Sequence, residues 1–159
     1  MIFECSDRTY EECMRLSLFG APKNLLPLVE KITPFNTPMF LFNHSTRQMF
    51  GVMEATSPGC ENMVPQAWAR NGRPTPLPAQ ISFRYKYKFL PLSEAKFSQL
   101  FDNGKIPATL NKEQARQLVE LFAENDAQTA HRAAAQLIQF FRLGAPPSVT
   151  ATAPEPAKS

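Results

Sequence analysis

At 159 residues and 17.9 kDa the chain is long enough for one domain with a proper core and too short for two ordinary ones. Its 43% hydrophobic and 19% charged residues exclude a disordered chain, and its longest apolar runs, such as residues 39–42, fall far short of the roughly 20 residues that cross a bilayer. A net charge of +3 is too small to signal nucleic-acid binding by itself, although residues 61–105 hold the excess, with 7 basic against 3 acidic side chains.

Residues 2–5 read as a first strand. Thr9-Tyr-Glu-Glu12 has the spacing of a capping box, and Tyr10, Cys13, Met14 and Ser17 recur at helical spacing. A helix is therefore predicted to end near Leu18 or Phe19, with Gly20 and Pro22 as its exit. Residues 23–37 hold an apolar stretch broken by Pro27 and closed by Pro34, which predicts a short or irregular helix and then a loop. Residues 39–42 and 48–56, separated by the turn-forming Asn43-His-Ser-Thr-Arg47, predict an antiparallel hairpin. Residues 58–78, rich in proline and carrying the only tryptophan, Trp68, predict a long surface loop.

Phe83, Tyr85, Tyr87 and Phe89 alternate with Ser82, Arg84, Lys86 and Lys88, which predicts a strand with a core face and a basic row opposite. Leu92, Ser93 and Phe97 match a hydrophobic staple at the start of a short helix to Phe101. Asn111 and Gln114 repeat the capping logic ahead of a stripe of Ala115, Leu118, Val119 and Phe122. A second stripe, Ala130, Ala134, Leu137, Ile138 and Phe141, predicts helix over residues 127–143. The pattern leaves open whether Glu124-Asn-Asp126 breaks or bends the run between them. Residues 145–159, mostly Pro, Ala, Ser and Thr, are expected to be disordered. Met1 begins no secretory-type segment, and the three spaced cysteines Cys5, Cys13 and Cys60 suit a reducing compartment, so a soluble cytoplasmic or nuclear protein is expected.

Several segments are shared, in order, with one family. They are Phe3-Glu-Cys5 with Thr9-Tyr-Glu-Glu-Cys13, Leu18-Phe-Gly20 with Pro22, and Pro38-Met-Phe-Leu-Phe-Asn43. They continue with Gly51-Val-Met-Glu-Ala-Thr-Ser57, Trp68, Pro78-Ala-Gln-Ile-Ser-Phe83, and Leu90-Pro-Leu-Ser-Glu94 ahead of Phe97. In these the chain resembles the plant DCD (Development and Cell Death) domain over residues 1–122, with Ala21 standing where the family usually has leucine. The resemblance implies an α+β, PUA-like fold: a strongly curved mixed sheet or open barrel with flanking helices, to which the residue pattern adds a C-terminal helix past the resembling segments. The chain is thus expected to divide into a domain over residues 1–123, a helical extension over 124–144 and a tail over 145–159. More distantly the chain is similar to YTH and EVE domains, several of which bind modified bases. In YTH readers a tryptophan at the position of Ala21 helps form an aromatic cage, and that wall is missing here.

The resemblance also places Cys5, Ser6, Asp7, Asn43 and Trp68 near the mouth of the sheet. Reading a base there needs a stacking ring and fixed polar groups. The plainer alternative is that Ser6 or Asp7 caps the first helix, Asn43 shapes the hairpin and Trp68 plugs the sheet edge. Arg84, Lys86 and Lys88 either contact phosphates or form a solvated strand face that discourages edge pairing. His44 and His131 with scattered thiols supply no base beside a nucleophile and no metal set, and Glu11-Glu12 complement a helix dipole. No catalysis, cofactor or metal is expected; a histidine and a thiol sharing one hollow would contradict this. The C-terminal helix either covers the domain's own edge or docks a helical or homomeric partner. The resemblance implies a non-catalytic interaction module in stress, defence or programmed-cell-death signalling in a plant or green alga. Its partner is expected to be a protein, with RNA or a modified nucleotide as the alternative.

Overall fold

The computed structural model describes residues 1–143, so the tail expected over residues 145–159 lies outside the described residues. In chain order the elements are β1 (Ile2–Cys5), α1 (Asp7–Leu16), β2 (Leu18–Ala21), α2 (Leu26–Glu30), β3 (Met39–Asn43) and β4 (Gln48–Ala55). They continue with β5 (Cys60–Glu61), β6 (Ala79–Tyr85), β7 (Leu92–Ser93), α3 (Glu94–Phe97) and α4 (Lys112–Leu143). Among the described residues seven strands form one mixed sheet in the order β1-β3-β4-β6-β2, with β5 added to β6 and β7 to β4. β1 runs parallel to β3, whereas β3, β4, β6 and β2 pair antiparallel.

The sheet curls until its two end strands meet. Phe3 of β1 stacks on Phe19 of β2 at 5.1 Å, and Phe19 stacks on Phe83 of β6 at 3.9 Å. β1 and β2 are not paired, so the sheet is an open barrel with a seam between its ends. This is the curved α+β architecture that the family resemblance implies.

Both faces of the sheet are covered, which explains why residues 39–42 are apolar without alternation. Met39 and Leu41 join Phe3, Phe19, Met53 and Ile81 in the inner core. Phe40 and Phe42 point the other way, where Phe122 of α4 stacks on Phe40 and Phe97 of α3 meets Phe42 edge-on, each at 6.1 Å. The staple of Leu92 and Phe97 and the box of Asn111 and Gln114 form as predicted. Leu92 and Phe97 are fully buried, the Gln114 amide donates to Asn111 Oδ1 at 2.7 Å, and the Asn111 amide donates to Gln114 Oε1 at 3.1 Å.

Two expectations are corrected and one open point is answered. α1 is capped by Ser6, in extended geometry, and Thr9 is its third helical residue; the helix ends at Leu16 because Ser17 adopts the left-handed conformation, φ 50°. Leu18 to Gly20 therefore belong to β2, where the ladder to β6 outweighs the helical reading. The strand with the basic row ends at Tyr85. Beyond it Lys86 and Tyr87 both donate amides to the Val52 carbonyl, so the two-residue alternation lapses and Tyr87 turns out, 61% exposed, while Phe89 returns to stack on Phe122 at 5.7 Å. Finally, α4 passes unbroken through Glu124, Asn125 and Asp126. Asp126 accepts the Leu90 amide at 3.0 Å, and past it Leu137, Ile138 and Phe141 stand exposed, so this half of the helix covers no edge of its own domain.

Candidate functional site

A cavity of about 520 Å³ lies at the seam. Phe3, Cys5 and Ser6 supply one wall from β1 and the turn after it; Gly20, Ala21 and Pro22 supply the other from β2. Thr9, His44, Leu77 and the segment from Ile106 to Ala108 complete it. β1 is held to that segment, since the Ile2 amide donates to the Ala108 carbonyl at 2.9 Å.

Ser6 and Thr9 in the lining, and Asp7 and Asn43 beside it, are already committed to local hydrogen bonds. The Ser6 amide donates to Thr9 Oγ1 at 3.0 Å, which closes the first turn of α1. Asn43, buried, accepts the Ser45 amide on Oδ1 at 2.9 Å and donates from Nδ2 to Asp7 at 2.9 Å. The Asp7 amide in turn donates to Ser45 Oγ at 3.0 Å, and the His44 amide to the Cys5 carbonyl at 2.9 Å. These bonds pin the hairpin tip to the start of α1 and set His44 at the rim. A buried amide with all its groups paired is a rigidifying element.

Trp68 lies outside the lining. It is 6% exposed, and its ring lies against the backbone of Gly20, where a Cβ would come within 2.5 Å of it. Gly20 is thus a point of close approach, and Trp68 buttresses the cavity wall from behind. The Trp68 amide donates to Glu12 at 3.1 Å, while its indole nitrogen is buried without a hydrogen-bond partner, beside the Cys13 thiol. The expectation that Trp68 stands at the mouth is corrected accordingly.

Cys5 and His44 do share the hollow. Burial pushes the Cys5 thiol up to about 12, helped by the neighbouring Cys13, Asp7 and Glu4, and burial pushes Cys13 to about 11. Burial thus favours the protonated thiol, and among the described residues the hydrogen bond that joins Cys5 and His44 is between their backbones, not their side chains. Among the described residues no three His, Cys, Asp or Glu side chains are grouped for a metal.

The basic row does not assemble. Arg84 donates to the buried Glu54 at 2.8 Å and its guanidinium lies 5.0 Å above Phe35. Lys88 sits 5.5 Å above Tyr85, and Lys86 points to solvent. None of the three lines the seam cavity, whose charged lining residue is Glu4. A more open hollow of about 580 Å³ lies where the 36–38 loop meets α4, with Arg116 at its rim tied to Glu113 and Glu120. Sequence reasoning missed His44, Leu77 and the 106–108 segment as lining residues, because no local pattern marks segments that meet only in the folded sheet.

The fold resembles that of solved YTH domains. The Mmi1 YTH domain complex with RNA matches 80% of this chain and 79% of that one, with a TM-score of 0.57 and 10% identity. The YTH domain of Zygosaccharomyces rouxii MRB1, in complex with N6-methyladenosine RNA, matches with a TM-score of 0.53 and 12% identity over 76% of this chain and 85% of that one. At that identity the likeness is one of fold. In sequence, the chain is 36% identical over 130 residues to the DCD domain-containing protein NRP-B of Glycine max, and 36% identical over 131 residues to the B2 protein of Daucus carota. Each match takes in 79% of this chain but only 39% and 63% of those relatives, so the chain spans less than two thirds of their length. No helix among the described residues is long and apolar enough to cross a membrane. The model of the Development and cell death domain matches residues 1–122, which covers the whole curved sheet, the seam and the α4 stripe packed on it, and the chain therefore belongs to the Development and cell death (DCD) domain family.

Proposed function

We propose that the chain is a non-catalytic binding module whose seam cavity grips an apolar side chain of a protein partner. The observation that carries this reading is the cavity itself: about 520 Å³, walled by Phe3, Ala21, Leu25 and Leu77, edged by the fixed Ser6–Thr9 pair, and without lysine or arginine in its lining. An apolar hollow with a few fixed polar groups is the usual form of a recognition site. The binding unit is the domain over residues 1–123, with residues 124–144 as an extension. Its setting is stress, defence or programmed-cell-death signalling in the cytoplasm or nucleus of a plant or green alga, in line with the family and its plant relatives.

The test uses Ala21, whose side chain lines the cavity. Wild type and Ala21→Phe, both shown to be folded by circular dichroism, are used to capture partners from plant extract, with and without nuclease. Wild-type capture that survives nuclease and salt but is lost in Ala21→Phe is the expected result. Capture indifferent to Ala21→Phe removes the cavity from the reading.

Binding of RNA or a modified nucleotide is the second reading, and the RNA complexes of the YTH neighbours favour it. Against it stand the missing ring at Ala21 and the absence of cationic lining. Capture that disappears with nuclease and weakens steeply with ionic strength would move the assignment here. Flat titrations with adenosine, N6-methyladenosine and a short RNA would close it.

A further inference from the structure

Past the domain, α4 carries an apolar seam of its own. Ala123, Ala127, Ala130, Ala134, Leu137 and Phe141 follow one another at intervals of four, three, four, three and four residues, the heptad spacing of a helix-pairing surface. All six are exposed, Leu137 to 52% and Phe141 to 78%. At about 100° per residue, this seam is turned by about 90° from the stripe of Ala115, Leu118, Val119 and Phe122 that faces the domain. The two stripes therefore serve different neighbours.

The seam is graded in size, with four alanines and then leucine and phenylalanine. A parallel second copy would set Phe141 on Phe141 and alanine on alanine, so the helices would be wedged apart at one end and out of contact at the other. A reversed copy sets Phe141 against Ala123 and Leu137 against Ala127 at each end, with Ala130 against Ala134 between them, so the large side chains are shared equally by the two ends and neither end is wedged apart. The same reversal brings Arg142, at the tip, to the Glu124 end of the second helix on the same flank of the seam. Size and charge thus agree on one occupant.

We propose that the chain self-associates as an antiparallel helix pair through residues 123–141 of α4. The contact strip is about 28 Å long, and two such strips bury on the order of 1,000 Å², the lower limit of a specific interface. The dimer is accordingly concentration-dependent, forming in the micromolar range.

Sedimentation velocity of the full chain over about 1 to 500 µM is expected to show a monomer–dimer shift, and Leu137→Glu with Phe141→Glu to stay monomeric with an unchanged far-UV spectrum. For direction, Ala130→Cys and Ala134→Cys are made separately in a Cys60→Ser background. Each alone is expected to stay uncrosslinked under oxidation, and their mixture to form the mixed disulfide. A wild type monomeric throughout, a dimer that survives the glutamates, or Ala130→Cys crosslinked to itself would overturn the proposal.

Discussion

Gly20 and Trp68 illustrate how single residues set the seam. Because a Cβ at position 20 would lie 2.5 Å from the Trp68 ring, Gly20→Ala forces the ring or β2 to move. Overpacking of this kind costs about 1–3 kcal/mol, so urea unfolding of Gly20→Ala should show a lowered midpoint with an unchanged slope. The thiols give a second prediction. Cys5 and Cys13 are raised in the fold from 9.0 to about 12 and about 11, so the folded state holds its protons longer than the unfolded one. Their contribution to stability is complete below pH 9 and is lost as pH rises through about 11 to 12, so thermal unfolding should lose midpoint in that window. Below it, a thiol reagent at neutral pH should label Cys60, which is exposed, and leave Cys5 and Cys13 unmodified until the chain unfolds.

At the scale of elements, the cap of α4 carries a measurable share of the helix. Asn111 and Gln114 each hold the other's amide, so Asn111→Ala should cost about 1 kcal/mol in equilibrium unfolding. This cap, the Leu92–Phe97 staple and the 39–55 hairpin were legible in the sequence because each is a local device whose residues lie within a few positions of one another. α1 was legible as a helix but framed three residues late, since Thr9-Tyr-Glu-Glu12 and Ser6-Asp-Arg-Thr9 both fit a box and only the extended backbone at Ser6 decides between them. β2 was not legible: Leu18 and Phe19 continue the helical stripe, and the ladder that claims them comes from β6, some 60 positions away. The same limit applies to the site. Of the residues that came from the family resemblance, Cys5 and Ser6 line the cavity while Asp7 and Asn43 lie outside its lining, and the residues opposite belong to segments with no pattern of their own.

At the scale of the whole molecule, the division between domain and extension predicts the outcome of truncation. A chain ending after Asp126 keeps every residue of both cores and the Leu90–Asp126 bond. It should unfold within a few degrees of the full chain by calorimetry, and a large loss would mean that the distal helix is needed for folding. The open seam has a consequence of its own. Every other join in the sheet is laced by main-chain bonds, but the ends of the sheet meet without a ladder, with Phe3 stacked on Phe19. Prising that gap wider sacrifices ring contacts and no ladder. The mouth is therefore the compliant line of an otherwise stiff shell, and a guest wedged there would act as a clasp, tightening the two ends against each other.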